Sequence, residues 1–211
     1  MASPYATSSR PEIHDLVPER AVRFLDVGCN DGGFGQWLMD GRPDREVWGI
    51  EPDTAQALKA RDILSGGAIT GLFPEAMDEL TGRFDCITFN HVLEHMVDPR
   101  TALVVARERL NARGCVIAVI PNVRYAPVIA DLAFRGRWDY VDAGILDRTH
   151  LRFFTRRSML QLFHESGLFV ESIKPVNAMG SVSHPHVSRL LSRIAPELVH
   201  VAYAFCAVPA S

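Results

Sequence analysis

Apolar blocks of strand length alternate along this chain with stretches of helical periodicity. Residues 22–27 are apolar and fit a buried strand. Gln36-Trp37-Leu38-Met39 follows at helical density, which predicts a helix over residues 33–39. A second strand is expected at 46–50. Asp53-Thr54-Ala55-Gln56 then has the form of a helix N-cap. That helix runs through Ala57, Leu58 and Ile63 and stops before Gly66-Gly67. A short strand is expected at 68–72, and a β-branched, apolar one at 84–89. Asp98-Pro99 reads as N-cap and first-turn proline of a helix running to Leu110, with Gly114 beyond it. A fifth strand, 115–120, closes at Pro121-Asn122. Thr155 caps a helix whose buried stripe is Met159, Leu160, Leu162 and Phe163. Gly167 ends it, placing Leu168 against Phe163. Strands at 168–176 and 199–208 finish the pattern, with a looser helical stretch at 187–194 between them.

Strands alternating with helices imply an α/β domain: a mostly parallel sheet with helices on both faces. The last two strands lack a full crossover helix, so the last strand is expected to be antiparallel. Residues 1–20 read as an arm, mobile to about residue 10, with a short helix at 11–19 over the mouth of the site. Residues 21–211 read as one domain, and 211 residues suffice for a full core. An insertion at about 123–154 breaks the alternation. Its Tyr125, Phe134, Trp138 and Tyr140 lie among arginines and glycines, as in a lid or acceptor pocket. Val128, Ile129, Leu132 and Phe134 make one apolar helical face. Core packing or a homodimer contact is the simpler reading of it, and cover for a greasy acceptor or peripheral attachment to a membrane surface the other. Arg135 and Arg137 would suit a phosphate-bearing acceptor.

Composition narrows the class. A net charge of −3 argues against a dedicated nucleic-acid binder. Four cysteines with no CxxC spacing read as reduced, buried thiols, which points to the cytoplasm. No signal-peptide h-region opens the chain, and its longest apolar run is too short to span a bilayer.

The chemistry centres on Asp26-Val27-Gly28-Cys29-Asn30-Asp31-Gly32-Gly33, where the first strand turns into the first helix. Such a turn directs backbone N–H groups into the crevice at the strand's carboxyl end. Glycine permits positive φ and close ligand approach. Glu51, at the end of the second strand, stands where a ribose-binding acid belongs.

The set Asp26-x-Gly28-x-Asn30-x-Gly32, with Gly49-Ile50-Glu51-Pro52-Asp53, resembles the class I S-adenosylmethionine (SAM) dependent methyltransferases over residues 20–209. The family usually has glycine where Asn30 stands, but Asn readily adopts the left-handed conformation. The resemblance implies a Rossmann-like, doubly wound, seven-stranded sheet, with SAM as cofactor and S-adenosylhomocysteine as product. Gly28, Asn30 and Gly32 would face the methionine part, and Asp26 its amino group, directly or through water. Glu51 would take both ribose hydroxyls, beside Pro52. Leu72 stands where the family often has an adenine-binding acid, so adenine would rest on backbone groups and on Phe73. Asp78 is a weaker source of that acid. Asn90 and His91 would line the methionine end.

His91-Val92-Leu93-Glu94-His95 also matches the H-x-x-E-H spacing of an inverted zinc-peptidase motif. Zinc there needs both histidines on one helical face and a third ligand downstream. This motif leaves a strand, and Asp98-Pro99 opens a new helix at once, so no metal is expected. Glu94 and His95 are read instead as holding the loop by hydrogen bonds. His184-Pro185-His186 reads as an exposed loop.

Asp147-Arg148-Thr149-His150-Leu151-Arg152-Phe153-Phe154-Thr155 resembles a segment of methyltransferases often associated with sugar and surface-polysaccharide assembly. His150 is the first choice for a general base, with Asp147 and Arg152 as partners. The structural alternative pairs Asp147 with Arg152, bonds His150 to backbone and puts the phenylalanines in the core. The expected reaction is methylation, most simply of an oxygen, on a small-molecule or glycan acceptor. The competing classes are a nicotinamide-dependent oxidoreductase using the same crevice, and a non-catalytic SAM-binding scaffold.

Overall fold

The computed structural model describes residues 9–176 and 195–210. The expected loop helix at 187–194, the His184-Pro185-His186 loop and the first part of the N-terminal arm lie outside them. Strands β1 to β7 are Arg23–Val27, Glu46–Glu51, Gly67–Thr70, Phe84–Asn90, Leu110–Pro121, Leu168–Val176 and Ala202–Pro209. Helices α1 to α5 are Gly33–Met39, Thr54–Ile63, Pro99–Glu108, Ala126–Arg135 and Arg156–Glu165. The sheet order is β3-β2-β1-β4-β5-β7-β6, with β7 antiparallel to both its neighbours and the other pairings parallel.

Apolar side chains on the two faces of the sheet form two cores. One takes Phe34 and Leu38 of α1 and Ala60 of α2, with Ile13 of the short 3-10 helix Pro11–Leu16. The other takes Ala102, Leu103 and Ala106 of α3 with Met159, Leu162 and Phe163 of α5. Sheet order reverses between β1 and β4, and that reversal opens a crevice at their carboxyl ends.

The caps work as the sequence predicts. Asp53 Oδ1 accepts from the N–H groups of Ala55 and Gln56, and Thr155 forms a capping box with Ser158. β3 ends at Thr70 rather than 72 and the N-terminal helix at Leu16 rather than 19, and three further elements differ more. β5 begins at Leu110 rather than 115, because Asn111 bonds Asp85 Oδ1 at 2.7 Å and Arg83 holds the carbonyls of Glu108 and Leu110. The polar residues between Leu110 and Cys115 form an irregularity in the strand instead of a helix end. β7 begins at Ala202 because Pro196–Val199 is a 3-10 turn. Buried Asn122 donates from Nδ2 to the carbonyls of Glu197 and His200, anchoring that turn. Finally, the apolar face of α4 is not core: none of its residues is buried, and Phe134 is 88% exposed.

Candidate functional site

A cavity of about 1120 Å³ fills the crevice. Gly28 has φ +70°, and a Cβ there would lie 2.6 Å from Val92 Cγ2, so β1 passes against the loop after β4 only as glycine. Asn30 takes φ +50°, the left-handed conformation expected of it. Five of the loop's N–H groups, however, are already engaged within the fold. Gly28 and Cys29 donate to the Ile50 carbonyl, Gly32 to that of Cys29, and Gly33 to Asp31 Oδ1. Asn30 N–H donates to Glu51 Oε2 at 2.8 Å. A loop with these donors engaged is poorly suited to a pyrophosphate, and better suited to a ligand that brings its own positive charge.

Glu51 is nearly buried and bridges two loops, because its Oε1 accepts from Asp53 N–H at 3.0 Å. Each oxygen keeps a second lone pair for a ligand hydroxyl. Pro52, Leu72 and Phe73 line the same end of the cavity. Leu72 is exposed, whereas Phe73 is buried edge-on against Phe89, ring centroids 5.4 Å apart. Glu75 lines this end and Asp78 does not, so the nearby acid is not the one considered from sequence.

Asp26 lies beneath the loop, 2% exposed, accepting from Thr88 Oγ1 at 2.6 Å and Asn90 Nδ2 at 3.4 Å. Burial pushes its carboxyl up to about 6, against the lowering effect of the Thr88 hydroxyl. It lines a narrow cleft with Gly28, Asn30 and Asn90 rather than the main cavity. The short N-terminal helix does reach the mouth, where Arg10, Pro11 and Glu12 line the cavity. The sequence pattern places Pro11 and Glu12 in that helix over the mouth, and Arg10 just before it.

The far wall is built from the loop after β4 and the second half of the insertion. His91 lines it with φ +58°, uncommon for a non-glycine residue. Ala143, Gly144, Ile145 and His150 come from the insertion and line this wall. His150 is 7% exposed, its Nδ1 3.0 Å from the Ile145 carbonyl. A carbonyl only accepts, so Nδ1 carries the proton and Nε2 the lone pair. Nε2 stands 4.0 Å from Glu94 Oε1.

Asp147 and Arg152 do not join His150 at the cavity. Asp147 caps its own turn, Oδ1 accepting from the N–H and hydroxyl of Thr149. Burial would raise its carboxyl, but the Thr149 hydroxyl and N–H outweigh that and leave it below the usual range. Arg152 donates instead to the Val97 carbonyl at 2.6 Å. The two do not pair, because each has a nearer backbone partner. Phe154 enters the core, and Phe153 packs edge-on against Trp138. Glu94 and His95 tie the loops together as expected: the Glu94 carbonyl accepts from Leu151 and Arg152 N–H, and His95 Nδ1 meets Thr149.

A doubly wound sheet with antiparallel β7, a glycine loop and an acid ending β2 defines the class I methyltransferase architecture. A methyltransferase-domain family model matches residues 5–173, and the chain belongs to that family. Among curated relatives, the ubiquinone biosynthesis O-methyltransferase of Cereibacter sphaeroides is 28% identical over 176 residues, 80% of this chain and 67% of that protein. Among solved structures, a SAM-dependent methyltransferase from Mesorhizobium loti aligns at TM-score 0.60 and 15% identity, covering 95% of this chain and 97% of that one. The plantazolicin methyltransferase BamL, solved with S-adenosylhomocysteine, aligns at TM-score 0.60 and 14% identity, covering 90% and 78%. The chain is a SAM-dependent methyltransferase. Its own residues fit the donor: Gly28 and Glu51 line the cavity, Glu51 keeps lone pairs for a diol, and five of the loop N–H groups are already engaged.

Proposed function

We propose that this methyltransferase acts on a hydroxyl of a small, ring-bearing, largely apolar acceptor, with His150 receiving the proton. The observation that carries this reading is the His150 lone pair on the cavity wall, its tautomer set by the Ile145 carbonyl. When bound, SAM supplies an electrophilic sulfonium methyl for in-line attack. Glu51 anchors the ribose, Phe73 and Leu72 flank the adenine, and Asn90 and His91 line the methionine end. Asp26 attracts the amino group from beneath Asn90. Asp147 and Arg152 act as positioning residues, the first through Thr149 and the second by pinning the Val97 loop. Positioning supplies most of the rate advantage, because the reacting groups need only be held in line.

The acceptor class follows from the walls. A cavity of about 1120 Å³ exceeds what one drug-sized ligand needs, leaving room for donor and acceptor together. Beyond the cofactor end it is lined by Met96, Val97, Ile145, Val176 and Val201, which suit an apolar ring better than a free sugar. The O-methyltransferase name of the relative points the same way. The test is methyl transfer from labelled SAM to a panel of phenols, catechols and sugars. Turnover of phenolic members is expected, with kcat falling about 10²–10⁴-fold in His150→Ala and SAM affinity kept. Turnover of sugars alone would sink the acceptor assignment.

A further inference from the structure

The cluster behind His150 has more ligand atoms than proton transfer uses. Glu94, His95 and His150 each bring a ligand atom within 4.8 Å of the others'. Glu94 is 1% exposed, and neither of its carboxylate oxygens accepts a hydrogen bond. His91 Nδ1 adds a further nitrogen 3.3 Å from Oε1, without hydrogen-bond geometry. Burying a carboxylate with no donor is costly, so something positive belongs beside it.

The histidines are turned the right way to hold that charge. His150 Nδ1 faces the Ile145 carbonyl at 3.0 Å, and His95 Nδ1 faces the Thr149 carbonyl at 3.2 Å. Both Nδ1 atoms therefore donate, and both Nε2 atoms carry lone pairs. A backbone carbonyl holding one ring N–H is how a metal-binding imidazole is usually oriented. The Asp147–Thr149 turn stands behind His95 as a further support, Thr149 Oγ1 lying 3.1 Å from its Nδ1.

We propose that Glu94, His95 and His150 bind one divalent first-row metal ion. Two nitrogens and one carboxylate suit Zn²⁺, Mn²⁺, Fe²⁺ or Co²⁺ rather than Mg²⁺ or Ca²⁺, which prefer oxygen alone. Tetrahedral ligation at about 2.1 Å sets ligand atoms about 3.4 Å apart, so the cluster closes by up to about 1.4 Å to grip the ion. Three protein ligands leave a position open, and Glu94, His95 and His150 all line the cavity. Metal here would engage the same His150 Nε2 lone pair that the methyl-transfer reading uses, so proton transfer to His150 belongs to the metal-free chain.

Metal binding is measured without donor or acceptor, so it fails or stands separately from that reading. Tag-free full chain, stripped with chelator, is titrated with Zn²⁺ alone by calorimetry and with Co²⁺ alone by visible absorption. One ion per chain at micromolar affinity or tighter is expected, weakened about 100-fold or more in Glu94→Gln and in His95→Ala. SAM affinity in His95→Ala should match the parent, which separates metal loss from misfolding, since His95 is an exposed residue. His164→Ala, on the exposed side of α5, should change nothing. No saturable binding would overturn the site. So would binding that survives both ligand variants.

Discussion

Asp26 sets a conflict between folding and binding. Its carboxyl titrates near 6 in the folded chain against 3.8 ordinarily, and burial is the main cause. A raised acid favours folding below the unfolded pKa and loses that contribution as pH rises through the folded one. The charge thus costs the folded state about 2–3 kcal/mol at neutral pH. Asp26→Asn keeps the acceptor oxygen for Thr88 and should raise Tm by roughly 5 °C at pH 8 while changing little at pH 4. The same change should weaken SAM about tenfold at pH 8, because the amino group wants the ionised form. In the parent, SAM affinity should rise with pH through about 6. Thermal melts and calorimetry at the two pH values check both expectations. Glu51 is the second such residue. Glu51→Ala leaves the Asn30 and Asp53 N–H groups without their acceptor, so loss of SAM binding should come with a Tm drop of a few degrees. The role implied for Glu51 was legible from spacing alone. The engagement of the loop N–H groups was not, since it depends on how β2 lies beside β1. Nor was the convergence of His150 on Glu94 and His95: the third ligand lies in a different loop, and spacing rules read only neighbours along the chain.

At the level of elements, local chemistry decided what could be read in advance. α1 and β6 occupy the residues expected of them, and α5 starts where Thr155 predicts. Thr155→Ala should cost about 1 kcal/mol, seen as a Tm drop of 2–4 °C, by removing the acceptor for Ser158 N–H. The insertion resisted prediction because its two halves answer to different surroundings. Residues 143–145 and His150 line the crevice, whereas α4 has Ile129, Leu132 and Phe134 facing solvent. An amphipathic pattern says which side of a helix is apolar, not whether the domain covers it. Phe134→Ser should therefore shift chemical-denaturation stability by no more than about 0.5 kcal/mol, where a core phenylalanine would cost several.

For the whole molecule, the alternation of strands and helices was enough to give the sheet's architecture, while its closing step was harder to see. No helix among the described residues is long and apolar enough to cross a membrane. The two cores meet only through the sheet between them, so its continuity couples the faces. That continuity depends on β7. Among the described residues β6 forms the edge and pairs with β7 alone, and β7 is the only bridge from β6 to β5. During synthesis, β5 and β6 must therefore wait with unpaired backbone edges until residues 202–209 arrive to fill the gap between them. The last strand of this sheet to be made is an inner one, and the interval before it docks is when this sheet is most exposed to pairing with another copy of itself.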